Sequence, residues 1–297
     1  MFAPIRLFVC VSIFTLLQLP FFSYGQNSKK AVILDYFSRK PNALIYSRFK
    51  GAPSPSKETL HLLERQIHWD ESGTGSRNPS GLQLRFEKID MPATPGQSAT
   101  ERYRVYAAGA PENKVFAFES WPIDKNLTSD TRDVYVNGQG LLMIHRPRPE
   151  QEMSFKAGDD ELDIMPVTES AEPMRFLLSS MDGQLRIFGT LVPHPVVADD
   201  QGCRVEVRIA QPDSSAVLIV IDRFPPRTGI PLVLKSEDAT LSETVVTDSE
   251  GHAVMAAFPY VPGKAQGMLK ATAEGPNCLP FVVLPWGPAS QSVPKSP

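Results

Sequence analysis

Residues 203–209 read Cys-Arg-Val-Glu-Val-Arg-Ile, and residues 217–221 read Val-Leu-Ile-Val-Ile. The first stretch alternates apolar and polar side chains, the pattern of a strand with one face in a core and one in water. Val205, Val207 and Ile209 are therefore the expected core residues. The second stretch is an unbroken apolar run of strand length, too short to cross a bilayer.

Working outward, short apolar segments recur at 231–235, 244–247, 253–258, 267–273 and 279–284, separated by Gly, Pro, Asp and Ser. Seven short strands with turns every 8–12 residues predict a β-sandwich of the immunoglobulin type over 203–287. Upstream, the same rhythm runs through 78–192. Leu82, Leu84 and Phe86 alternate, and 102–108 and 114–121 are further strands. Asn137-Gly138-Gln139-Gly140 and Met181-Asp182-Gly183 mark two hairpins. A second sandwich is expected there, with 193–202, which holds two prolines and two aspartates, as a linker. The fold class is all-β: two immunoglobulin-like sandwiches behind a short mixed segment, 26–77. A proline- and serine-rich tail, 288–297, is expected to be disordered.

The mixed segment contains one expected helix, Pro55 to His68. Ser54-Pro55 reads as an N-cap followed by proline in the first turn, and Leu60, Leu63 and Ile67 form one apolar stripe. Residues 31–37 and 43–49 each suit a short strand or a helical turn. Residues 72–76 read as a flexible linker.

The chain opens with Arg6, an apolar run from Leu7 to Leu19, Pro20, and then small residues at Ser23 and Gly25. This is the pattern of a secretory signal over 1–25 with cleavage before Gln26. The alternative is an uncleaved anchor, for which Gln18 and Pro20 leave the run short. Lys29 and Lys30 lie just past the cut, where positive charge resists translocation. An exported chain implies an oxidising compartment, periplasmic, surface-bound or secreted. Without Cys10, which lies in the signal, the remaining pair Cys203 and Cys278 is expected to form a disulfide.

The whole chain has a net charge of −3. Residues 26–57 carry seven Lys and Arg against Asp35 alone, which leaves a more acidic body. The basic stretch reads first as a solvated segment and second as a contact for anionic envelope polymer or lipid headgroups. With no recognition motif and an acidic body, nucleic acid is not an expected partner.

Asp222-Arg223-Phe224-Pro225-Pro226, Thr247-Asp248-Ser249-Glu250-Gly251 and the Pro259 to Gly263 turn together resemble bacterial immunoglobulin-like surface modules. The resemblance covers about 203–287. It implies an extracytoplasmic β-sandwich used for spacing, adhesion or assembly, and it carries no catalytic residue to transfer.

Catalytic chemistry is hard to find. His61, His68, His145, His194 and His252 fall in no metal-ligand motif. Ser54-x-x-Lys57 and Ser292-x-x-Lys295 match a nucleophile motif by letters, without the partner motifs its chemistry needs. Asp159, Asp160, Glu161 and Asp163 form an acidic run without calcium-loop spacing. Asn126-Leu127-Thr128 is a glycosylation acceptor by letters. No catalytic residue, metal ligand or cofactor is expected. Tyr103, Tyr106 and Trp121 are the candidate ligand contacts, because exposed aromatics stack on sugar rings; Trp69 and Trp286 are further candidates by residue type, although Trp121 and Trp286 also suit core-edge packing. The chain is thus read as a non-catalytic interaction or scaffolding protein of the envelope or extracellular space. A carbohydrate- or polymer-binding module is the first alternative and an enzyme of unfamiliar type the second.

Overall fold

The computed structural model describes residues 46–73, 78–89, 101–112, 114–123, 128–144 and 160–288. The signal, most of the basic stretch, His145, Asp159, the Asn126 acceptor and the tail lie outside these. In chain order, β1 (Tyr46–Arg48) and α1 (Lys57–Gly73) precede a first group of strands. These are β2 (Gln83–Ile89), β3 (Arg102–Ala108), β4 (Val115–Trp121), β5 (Thr128–Val136), β6 (Leu142–Ile144), β7 (Asp160–Glu161), β8 (Asp163–Ile164), β9 (Met174–Ser180) and β10 (Arg186–Leu191). A second group follows: β11 (Val196–Asp200), β12 (Cys203–Ile209), β13 (Val217–Asp222), β14 (Gly229–Ser236), β15 (Ala239–Val246), β16 (Ala253–Phe258), β17 (Gly267–Ala273) and β18 (Phe281–Trp286). The described chain is thus mostly β.

The strands build two modules, each a pair of sheets around a shared core. In the first module, β2-β3-β8 faces β10-β9-β4-β5-β6-β7, with Val105, Phe116, Phe118, Val134, Phe176 and Leu178 between them. In the second, β1-β16-β13-β12-β11 faces β15-β14-β17-β18. Its core contains Val205, Val207 and Ile209, as their alternation requires, packed with Leu232, Leu234 and Leu284 from the opposite sheet.

The two modules share a strand order. In each, the first two long strands pair with the strand that precedes the last two: β2-β3-β8 and β12-β13-β16. The third and fourth strands join the last two: β10-β9-β4-β5 and β18-β17-β14-β15. The fourth strand ends in the same turn both times. Asn137 Oδ1 accepts from the Gln139 and Leu141 amides, and Asp248 Oδ1 accepts from the Glu250 and His252 amides. Gly140 and Gly251 close these turns at φ +80° and +81°, a conformation that glycine adopts without a steric cost. A Cβ on Gly251 would also collide with the Phe224 carbonyl. The second turn is not a hairpin, because β15 and β16 lie in different sheets.

Three expectations change. The helix begins two residues later than expected and is capped by Ser56 rather than Ser54. Ser56 Oγ accepts the Thr59 amide at 3.1 Å and its carbonyl accepts the Leu60 amide. The helix also runs on to Gly73, through residues read as linker. Finally, the 193–202 segment is not a bare linker: Val196–Asp200 forms β11, antiparallel to β12. Val196 and Ala198 pack on the core, and Gln201 and Gly202, both at positive φ, make a two-residue turn into β12.

The helix explains the unbroken apolar run of β13. Ile219 and Ile221 face the module core. On the other side of the sheet, Leu218 and Ala256 are covered by Leu63 and Ile67 of α1. A strand buried on both faces has no need of polar alternation. β1, within 43–49, adds to the same sheet parallel to β16, and Phe49 just beyond it enters the second core.

Candidate interaction site

One face of α1 covers the second module, and its C-terminal half also meets the first. The Trp69 ring lies edge-on to Phe188 and Trp121, with centroids 5.0 and 5.3 Å away. Gln66 donates to the Ala210 carbonyl at 3.1 Å. Next to Trp69, Asp70 is 2% exposed and accepts a bidentate pair from Arg175 of β9, at 2.8 and 2.9 Å. Thr190 of β10 donates to the same carboxylate at 3.0 Å. Arg208 of β12 reaches it at 3.2 Å and is paired in turn with Glu206 at 2.7 Å. Two carboxylates and two guanidinium groups from the helix and both modules therefore meet in one buried cluster, and Arg204 also reaches Glu206 at 3.5 Å. Burial alone would push the Asp70 carboxyl up. Arg175 and Arg208, with the hydrogen bonds from Arg175 and Thr190, outweigh it and hold the group below the usual carboxylate range. Burial likewise disfavours the Arg208 cation, but Asp70 and Glu206 more than restore it.

The candidate contacts do not converge. Tyr103 and Tyr106 stand three residues apart on β3, and successive strand residues point to opposite faces. Tyr103 is buried in the first core with its hydroxyl on Glu101 at 2.6 Å. Burial and then that carboxylate raise its pKa. Tyr106 lies half-buried on the outer face, beneath the Arg85 guanidinium and hydrogen-bonded to Glu87. Trp121 is buried against Trp69, with the Arg65 and Arg175 guanidinium groups over its ring. Trp286 is buried too, its Nε1 donating to Ser236 Oγ at 3.0 Å.

The remaining polar motifs are spread apart. Glu161 pairs with Arg104 at 2.7 Å and Asp163 pairs with Arg102, so the acidic run is answered by arginines of β3. His61 stands near Glu64, His194 near Glu101 and His252 near Asp222, each at 3.8–4.0 Å. Among the described residues no three His, Cys, Asp or Glu side chains gather in a way that could hold a metal ion. Ser54 and Lys57 are both exposed at the start of the helix.

Cys203, at the start of β12, is joined by a disulfide to Cys278, just before β18, with Cα atoms 6.2 Å apart. From that bond onward the chain alternates strictly: Val282 and Leu284 point into the core, while Leu279, Phe281 and Val283 point out. These three are 54, 49 and 41% exposed, and Met268 of the neighbouring strand β17 lies on the same outer face. Lys270, opposite Val283, sets its ammonium 4.0 Å from the Phe281 ring centroid, and Lys235 is its cross-strand neighbour on β14. The result is an apolar row bordered by two exposed lysines. An exposed apolar row costs solvation and marks a contact surface when the residues are contiguous.

The sequence signalled this row only indirectly. In Leu-Pro-Phe-Val-Val-Leu-Pro-Trp, 279–286, both parities are apolar, so which side faces solvent is fixed by the packing of Val282 and Leu284. The Asp70 cluster left no signal, since its partners come from distant strands. No known family model matches the chain, and no curated protein sequence matches it. No helix among the described residues is long and apolar enough to cross a membrane.

Proposed function

We propose that the chain is an exported, non-catalytic protein of two immunoglobulin-like sandwiches that works by docking a partner protein in the envelope or extracellular space. The observation that carries this reading is the outward row of Leu279, Phe281 and Val283 beside Lys235 and Lys270. Its chemistry calls for a protein segment that offers apolar side chains to the row and carboxylates to the lysines. The shared strand order of the modules supports the immunoglobulin-like class. The Cys203–Cys278 bond supports an oxidising compartment. The N-terminal pattern of the sequence supports export by a signal cleaved before Gln26. The polysaccharide alternative loses support from the burial of Tyr103 and Trp121.

Phe281→Asp tests the docking face. The side chain is half-exposed, so the variant is expected to keep its stability to within about 1 kcal/mol. It places a negative charge where the partner's carboxylates belong. In gel filtration of the gently extracted extracytoplasmic fraction, wild-type protein is expected in a complex larger than its own mass and the variant at monomer mass. Wild type at monomer mass, or a variant still in the complex, contradicts the reading.

A further inference from the structure

The first module has a cavity of about 220 Å³ beside β8, the edge strand of its smaller sheet. Phe118 of β4 and Phe176 of β9, stacked with their centroids 5.2 Å apart, both line it, as do Leu162 and Ile164. Met165 and Met174 complete the apolar lining, and Met165 is largely exposed. One charged residue belongs to the lining, Asp163, whose side chain is nine-tenths buried. Its Oδ2 is paired with Arg102, but its Oδ1 is buried with no hydrogen-bond partner.

A buried carboxylate oxygen without a donor is costly, and a native structure that keeps one calls for an explanation. The chemistry here narrows the answer. Arg102 already cancels the Asp163 charge, so a second cation is not called for. A neutral O–H or N–H donor satisfies the oxygen. The walls are aromatic and aliphatic, with two thioethers that make favourable contacts with rings and adapt to their shape. A cavity of about 150 Å³ is enough for benzene, so one of about 220 Å³ has room for a substituted or fused ring.

We propose that this cavity binds a small neutral aromatic molecule carrying one hydrogen-bond donor, of the phenol or indole type. The ring packs against Phe118 and Phe176 between the methionines, and the donor bonds to Asp163 Oδ1. The site is independent of the docking face on β17 and β18, and either reading stands if the other falls.

The test uses the whole protein with methyl-labelled methionine and two probes of matched shape, 4-methylphenol and 1,4-dimethylbenzene. The phenol is expected to shift the Met165 and Met174 methyl resonances and to bind roughly ten-fold or more tightly than the hydrocarbon, because only it satisfies the oxygen. Asp163→Leu is expected to abolish that preference while the hydrocarbon still binds, which also reports that the variant is folded. Met165→Trp, at an exposed position, is expected to close the cavity to both probes. Equal affinities in the wild type overturn the proposal. So does the absence of any binding up to the solubility of the probes, the result expected if water alone occupies the site.

Discussion

Replacing Asp70 with alanine is expected to destabilise the protein by about 3–5 kcal/mol, because it strands the buried Arg175 cation and takes one of its two carboxylates from Arg208. Arg175 loses its bidentate partner, while Arg208 keeps Glu206. Urea unfolding of the wild type and variant at neutral pH measures the difference. The same cluster sets an acid dependence. The folded-state pKa of Asp70 lies below its unfolded value of about 4. Its contribution is therefore complete above about pH 4 and is lost as the pH falls through the lower, folded value. Wild-type stability is expected to fall more steeply with acid than that of the Asp70→Ala variant, so the two unfolding free energies converge at low pH. Because the cluster joins α1, β9, β10 and β12, the wild type is expected to unfold in one cooperative transition and the variant in two steps. A variant as stable as the wild type would mean that the cluster contributes nothing to holding the modules.

The second large effect belongs to the disulfide. Cys203 and Cys278 are 75 residues apart, and a loop of that length is worth about 4.5 kcal/mol in the chain-entropy model. The Cys203→Ser/Cys278→Ser variant is expected to lose stability on that scale. Reduced wild-type protein should show the same urea midpoint as the variant, since both lack the same constraint. The bond joins the start of β12 to the approach to β18, the first and last strands of the shared order. Its loss therefore falls on Leu279 and on the strand that carries Phe281 and Val283. A midpoint unchanged by reduction would contradict this.

Much of the β architecture could be read from local pattern. The alternation at 203–209 placed Val205, Val207 and Ile209 in the core, and the Asx-x-x-Gly turns at 137–140 and 248–251 marked the end of the fourth strand in each module. The stripe of Leu60, Leu63 and Ile67 identified the helix, though its cap lay at Ser56. What escaped the sequence was whatever depends on a distant partner. β1 is three residues long and exists through its pairing with β16. β11 is short and preceded by Pro193 and Pro195, and its identity as a strand comes from β12. Asp70 looks like any acid near the end of a helix until Arg175 and Arg208 are brought to it. The placement of Tyr103 and Tyr106 was, by contrast, available in the sequence: an odd spacing on one strand sends two side chains to opposite faces.

The docking reading meets its most direct test in intact cells. A photocrosslinking amino acid at position 281, with a second protein carrying it at the exposed turn residue Gln139, is irradiated before fractionation. The expected result is a crosslink from position 281, and not from 139, to a different protein in the extracytoplasmic fraction, through a peptide rich in apolar and acidic residues. Recovery of the chain in the cytoplasmic fraction, or a position 281 that crosslinks to no protein, would contradict the proposed function.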